Sequence, residues 1–167
     1  PEVEKLVDEL DGFIKKEGKA DQDAVGTIDK LLQEFPKSGP KDRQAMVKEL
    51  SKCFEQRRMV PEGQAPNNKL YLASAVALGQ MGPESVEVLM TWIDAKTLKK
   101  DLAVQHRLIL SLGKTKDKKG LKVLKNMLNN KENSLISASA EALGEFATSD
   151  LETRKDVFEA LLKTVME

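Results

Sequence analysis

The chain has 167 residues with 27 basic and 27 acidic side chains, so its net charge is zero and it is not built throughout for binding nucleic acid. An apolar content of 40% is enough for a hydrophobic core, which excludes global disorder, and the length fits one domain or one stretch of a longer repeat array. A single cysteine excludes an intrachain disulfide and a cysteine-based zinc site.

Residues 1–59 are predicted to form N-terminal helices, namely a cap and a first helix pair. Apolar residues recur at steps of three and four over 3–14, 24–35 and 46–54. This spacing puts them on one face of each helix, as in an amphipathic helix packed against a core. The opening helix is expected to cover one end of a helical stack, since terminal repeats need a polar outer face.

Residues 60–68, VPEGQAPNN, interrupt the helical pattern. They contain two prolines, a glycine and two asparagines and show no periodicity, which predicts a loop. The loop is longer than most connections between helices, so mobility and contact with a partner are both open interpretations.

From residue 69 onward the chain repeats itself. The pattern predicts three helix pairs that continue the N-terminal helices as one solenoid domain, with bounds at 69–94, 101–130 and 134–167. Leu-Gly pairs mark the repeat at 78–79, 112–113 and 143–144, which are 34 and 31 residues apart. A period in this range with two helices per unit is typical of stacked helical hairpins.

Small residues in the first helix of each pair are expected to let adjacent repeats approach closely. Alanines alternate with other residues before Gly79 and before Gly144. The glycine of each Leu-Gly pair, including Gly113, is expected to cap its helix at the C-terminus. Pro83 suits the first turn of the next helix.

The segment LASAVALGQMGPESVEVLMTWID resembles the HEAT-like repeat found in bilin lyase subunits. The matching positions are Ala75, Ala77, Leu78, Gly79, Gly82, Pro83, Val86, Leu89 and Asp94. The resemblance implies an all-α, right-handed α-α superhelix of the HEAT or armadillo-like type. It also implies a role in binding, and as a remote alternative an accessory subunit of a bilin-lyase-like enzyme.

No catalytic, cofactor or metal site is predicted, so the chain is not expected to be an enzyme. His106 is the only histidine, which leaves a catalytic triad or a two-histidine metal site without partners. Cys53 lies on an apolar helix face and is interpreted as a small buried hydrophobic residue.

Tyr71 and Trp92 are the only tyrosine and tryptophan and are candidate partner-binding residues. The alternative is packing between repeats, because Trp92 coincides with Met127 one repeat later. Apolar residues at equivalent positions favour packing, and exposure for binding stays open.

The segment 96–131 has 11 basic and 2 acidic residues. Within it Lys118, Lys122 and Lys125 share one helical face and are candidate residues for binding an acidic surface or nucleic acid. The competing interpretation is a solvated or self-paired face.

The competing interpretation comes from aligning the second helix of each of the three pairs. In this alignment Glu87, Lys122 and Glu159 occupy equivalent positions, with the lysine in the middle repeat. Stacking in a solenoid would then pair the lysine with its own neighbours.

The function predicted from the sequence is a non-catalytic, protein-binding scaffold whose partner is another protein. Nucleic-acid or phosphate binding through the basic segment is the alternative. No apolar run is long enough to insert into a membrane. The absence of a visible signal peptide favours the cytoplasm, whereas Pro1 in place of methionine keeps open both export after removal of a signal peptide and origin from a longer protein. The sequence gives no oligomeric state.

Overall fold

The computed structural model describes residues 2–55, 63 and 67–166, and within them every regular element is helical. The α-helices are α1 (Glu2–Ile14), α2 (Asp21–Glu34), α3 (Pro40–Lys52), α4 (Lys69–Met81), α5 (Val86–Asp94), α6 (Leu102–Lys114), α7 (Leu121–Met127), α8 (Asn133–Gly144) and α9 (Leu151–Met166). Apart from residues 63, 67 and 68, the loop predicted at 60–68 lies outside the described residues.

Two of the helices are capped by the aspartate just before their first residue, whose side chain accepts a hydrogen bond from a free backbone N–H group. The Oδ1 atom of Asp101 accepts a hydrogen bond from the backbone N–H of Val104 at 3.1 Å, at the start of α6. Asp150 does the same for Thr153 at 2.9 Å, at the start of α9. These caps fix where both helices begin, because the first four N–H groups of a helix have no partner inside it.

The helices form two layers. The first layer contains α2, α4, α6 and α8, each packed against the next, and α4, α6 and α8 are the most closely packed of all. The second layer contains α1, α3, α5 and α7, which pack against the first layer, followed by α9. This arrangement confirms the all-α solenoid expected from the sequence.

Glycines inside α4 and α6 explain the close spacing of the first layer. A Cβ atom added at Gly79 would lie 2.9 Å from Ser111 Cα, and one added at Gly113 would lie 2.6 Å from Ala142 Cα. Real Cβ atoms do not approach other atoms so closely, so any larger side chain at these two positions would force the neighbouring helix to move.

The expectation that these glycines are C-terminal caps is therefore wrong. Gly79 and Gly113 lie within their helices, and Gly144 is the last residue of α8 with an ordinary helical φ of −59°. The residue that ends α4 is Gly82, whose φ of +75° lies in the region that favours glycine. The backbone approaches a neighbouring helix at Gly79 and Gly113, and the sequence pattern gave no means of distinguishing this use of glycine from a cap.

Leucine and other aliphatic side chains fill the space between the two layers. The fully buried examples include Leu10, Leu50, Leu78 and Leu108. Cys53 is buried as well, as its position on the apolar face predicted. None of the helices in the described part of the chain is both long and apolar enough to cross a bilayer.

One carboxyl group is buried where α1 and α3 meet. Glu49 is only 3% exposed, and its Oε2 atom lies 2.7 Å from Lys52 Nζ, which in turn lies 3.3 Å from Asp11 Oδ1. Within the described residues, Glu49 Oε1 has no hydrogen-bond partner. Burial raises the pKa of Glu49 above its ordinary value, and the nearby Lys52 only partly offsets this.

Replacing Glu49 with glutamine is expected to raise the melting temperature at pH 7. Because the pKa of Glu49 is raised on folding, its contribution to stability is fully present below the unfolded value of 4.5 and is lost as the pH rises through the folded value. The advantage of the Glu49→Gln variant should therefore shrink as the pH falls toward 4.5. Thermal unfolding followed by circular dichroism at both pH values measures this.

Glu4→Gln supplies the control, since Glu4 is an exposed side chain of α1 whose replacement should have only a small effect on the melting temperature. An advantage of Glu49→Gln that does not depend on pH would show that the ionisation of Glu49 is not its cause.

Candidate protein-binding groove

On the side of the first layer that faces away from the second layer, called the free face here, the core covers several apolar side chains only in part. On α4, Leu72, Ala73 and Val76 are half-buried, whereas Ala75 and Leu78 on the opposite side are fully buried. A helix that is apolar on both sides buries one side in the core and offers the other for contact. This free face is the candidate site.

The free face forms a groove that runs across the first layer. Its larger part lies between α2, α4 and α6 and has a volume of about 600 Å³. A smaller part, of about 150 Å³, lies between α4, α6 and α8. Val76, Gln80 and Arg107 line both parts, so the two form one continuous groove.

Charged side chains are placed at distinct points of the groove. Arg107 is exposed where the two parts meet and makes no ion pair within the described residues. Asp29 lines the end on α2. At the other end Lys114 Nζ lies 2.6 Å from Glu145 Oε1, so these two charges balance each other. The groove thus combines an apolar floor with one unpaired cation at its centre.

His106 is half-buried and lines the larger part of the groove. Among the residues that the structure describes, no three histidine, cysteine, aspartate or glutamate side chains are grouped so that they could hold a metal ion.

Tyr71 and Trp92, the aromatic candidates for partner binding, lie outside the groove and contact Phe54. The Tyr71 ring is buried and stacks on Phe54 with a centroid distance of 5.9 Å. Trp92 is half-buried, 5.4 Å from the same ring, and its Nε1–H donates to Ser51 Oγ at 2.9 Å. The three rings join the end of α3 to α4 and α5.

Two of the three candidate lysines form ion pairs with α9. Lys118 pairs with Asp150, and Lys125 Nζ lies 2.7 Å from Asp156 Oδ2. The hydrogen bond between Lys118 and Asp150 raises the pKa of the lysine and holds that of the aspartate well below its usual range. Lys122 is exposed and has no ion pair in the described part of the chain.

The expected stack of Glu87, Lys122 and Glu159 does not form. Glu87 instead lies 3.6 Å from Lys119, one helical turn before Lys122. The alignment of the third repeat is also wrong by one turn. Buried Gly120, which precedes α7, and buried Leu124 of α7 correspond to buried Thr153 and Val157 of α9, which puts Lys155 at the position equivalent to Lys122.

Self-pairing extends along most of the basic segment. Its lysines at 99, 114, 116, 118, 119 and 125 all lie within ion-pair distance of an aspartate or glutamate. Such exposed pairs contribute little to the stability of the fold, because solvent screens them. Together the pairs nevertheless place acidic groups among the basic ones, so the segment does not present a continuous positive surface.

The two helical layers, the repeat and the groove define the chain as a helical-repeat scaffold. A family model described as HEAT repeats matches residues 61–144, half of the chain, so the chain belongs to the HEAT-repeat family. The HEAT-like resemblance seen in the sequence is thereby confirmed. No curated protein and no solved structure gave a significant match. HEAT repeats commonly mediate protein interactions and are generally not catalytic.

The sequence did not predict the groove residues. Arg107, Val76 and Leu110 lie on the side of their helices away from the second layer, and no sequence motif marks them. One signal was present. Apolar residues in α4 are spread around the helix and are not confined to one stripe, which indicates two contact faces.

Proposed function

We propose that the chain is a non-catalytic scaffold that binds a segment of another protein in the groove of the first layer. The observation that carries this proposal is the continuous apolar floor, in which Leu72 and Val76 lie one turn apart on α4 and Leu110 lies on α6, all three half-buried and lining the groove. Soluble proteins rarely leave such surface uncovered unless it makes contact with a partner.

The chemistry of the groove indicates what the segment contains. Apolar side chains of the bound segment would replace solvent over Leu72 and Val76. A carboxylate of the segment would pair with Arg107, which is exposed and makes no ion pair within the described residues. The apolar contacts supply most of the affinity, and the single cation fixes the register of the bound segment.

Reversing the charge in the groove is expected to weaken partner binding at least about tenfold, which corresponds to about 1.4 kcal/mol. The variant carries Val76→Glu and Arg107→Glu, so it places two carboxylates where the segment would bring its own. Capture of proteins from a lysate of the source organism on the immobilised chain measures the loss, and circular dichroism checks that the variant folds.

Lys5→Glu is the matched control, because Lys5 is exposed on α1 and lies far from the groove residues. It should retain the proteins that the unaltered chain captures. Equal recovery by the groove variant would contradict the proposal. Recovery that disappears after nuclease treatment would do so as well, since it would identify nucleic acid as the bound component.

A further inference from the structure

A further cavity lies at the edge of the stack where successive helix pairs are joined. It has a volume of about 320 Å³ and lies between the segment before α6, the first turns of α6 and α8, and the end of α7. It shares no lining residue with the groove of the first layer. A ligand in this cavity would therefore make contacts that are separate from those proposed for the groove.

A buried amide lines this cavity. Gln105 of α6 is only 2% exposed, and within the described residues its Nε2 atom has no hydrogen-bond partner. Leaving a buried N–H group unpaired is unfavourable, and nearly all such groups in folded proteins have an acceptor. The cavity is the open space beside this side chain, so an acceptor atom placed there would supply the partner that the amide lacks.

The charged side chains of the lining favour an acceptor that is negatively charged. Lys100 is exposed and makes no ion pair within the described residues, whereas Lys99 lies 3.6 Å from Asp94. Glu132 also lines the cavity and opposes the two lysines. The lining thus has an excess of one positive charge, and Lys100 is the cation that is free to meet an anion.

The start of α8 adds backbone donors on the opposite side of the cavity from α6. Asp101 and Asp150 cap α6 and α9, but Glu132, in the same position before α8, makes no capping hydrogen bond with its side chain. The first N–H groups of α8 are therefore not satisfied by a cap. Free N–H groups and the positive end of a helix dipole both favour a bound anion.

The rest of the lining is largely apolar. Leu135 is buried, Met127 is half-buried and Leu102 is 39% exposed. Outside α9, Leu102 is the large hydrophobic side chain that the described chain leaves exposed. Covering it would remove apolar surface from water, which is favourable. A ligand that suits this cavity therefore has an apolar part next to its negative charge.

We propose that this cavity binds a small ligand in which an apolar body carries one carboxylate. The carboxylate accepts hydrogen bonds from the Gln105 amide and from Lys100 Nζ beside the start of α8, and the apolar body lies against Leu102 and Met127. The cavity is at the lower end of the range of about 300–1,000 Å³ found for ligand sites, which favours a ligand of modest size.

The test is an NMR titration of the full chain with hexanoate, which joins a short apolar chain to a carboxylate. The backbone signals of Gln105 and Asn133 should shift more than that of Val76 in the groove. Hexanol and inorganic phosphate each lack one of the two parts, so both should bind at least about tenfold more weakly. Absence of hexanoate binding, shifts confined to the groove, or equal affinity for hexanol or phosphate would overturn the proposal.

Three substitutions in the lining should change the affinity for hexanoate in different directions. Lys100→Met should weaken binding at least about fivefold, because it removes the free cation. Gln105→Met should weaken it as well without making the unbound chain less stable, since it removes an unpaired amide at nearly constant volume. Glu132→Gln should strengthen binding about threefold, because it removes the acidic group of the lining.

Lys41→Met is the matched control for the loss of one positive charge. Lys41 is exposed on α3 and does not line the cavity, so its replacement should leave the affinity for hexanoate unchanged. A loss equal to that of Lys100→Met would contradict the proposed site. Weaker binding by Glu132→Gln would do so too, as would an unchanged affinity in both Lys100→Met and Gln105→Met.

Discussion

Replacing Phe54 with alanine is expected to lower the free energy of unfolding by about 3–5 kcal/mol, the usual cost of removing a buried aromatic side chain. Phe54 is 3% exposed and contacts both Tyr71 and Trp92 through its ring. The loss combines apolar burial with two aromatic contacts, each contributing about 0.5–1.5 kcal/mol beyond burial. It is a large fraction of the roughly 5–15 kcal/mol that stabilises an ordinary domain.

The measurement can use fluorescence, because Trp92 is the only tryptophan of the chain and lies in the same cluster. Denaturant unfolding of the Phe54→Ala variant should show a lower midpoint. The native emission should shift to longer wavelength as water reaches the indole.

Phe13→Ala is a suitable control. Phe13 is half-buried on α1 and its ring faces Lys16 Nζ at 5.2 Å, so the loss should be less than half as large. An equal loss from both variants would show that the contacts with Tyr71 and Trp92 contribute nothing specific.

The aromatic cluster also bears on function. Trp92 has one edge against Phe54 and donates its N–H to Ser51, so the indole is held by the fold. Substituting it should change stability before it changes binding. Substituting the groove side chains Val76 and Arg107 should instead change binding more than stability, because they line the groove and are partly open to solvent. This difference separates residues that maintain the scaffold from those proposed to bind a partner.

Helix positions were largely predictable from the sequence, since they depend on local periodicity and breakers. The apolar pattern over 3–14 coincides with α1, from Glu2 to Ile14. The pattern over 24–35 lies on α2, from Asp21 to Glu34, and on the residue that follows it. Apolar residues at steps of three and four carry this information within each segment.

The candidate site was not predictable in the same way, because it depends on which helix faces remain uncovered once the layers pack. Lys118 and Lys125 looked available in the sequence, yet α9 brings Asp150 and Asp156 to them. The partners are more than 30 residues away along the chain. An error of one turn in aligning α9 was enough to predict an ion pair for Lys122, which has none within the described residues.

Replacing Gly113 with alanine is expected to lower the free energy of unfolding by about 2–3 kcal/mol, toward the upper part of the usual cost of overpacking. The added Cβ would lie 2.6 Å from Ala142 Cα and 2.7 Å from its carbonyl oxygen. These are backbone atoms, so no rotation of a side chain relieves the clash. The axes of α6 and α8 must move apart, even though alanine alone would favour the helix by about 0.5–1 kcal/mol.

Gly26→Ala provides the comparison, because Gly26 lies inside α2 and its added Cβ meets nothing within 4 Å. This variant should gain the helical preference of alanine and become more stable by about 0.5–1 kcal/mol. Gly79→Ala, with its contact at 2.9 Å, should fall between Gly26→Ala and Gly113→Ala. Denaturant unfolding of the three variants tests the order.

The Gly113→Ala variant also tests whether close packing sets the shape of the groove. Leu110 on α6 and Glu141 on α8 line its smaller part, so separating these helices widens that part. Adding Ala142→Gly should restore stability only partly, because it removes the Cβ but leaves the Cα and the carbonyl oxygen in place. Full rescue by Ala142→Gly, or a Gly113→Ala variant as stable as Gly26→Ala, would contradict the close approach of the two backbones. Partial rescue would show that the backbone spacing, and not one methyl group, determines how far apart the groove walls stand.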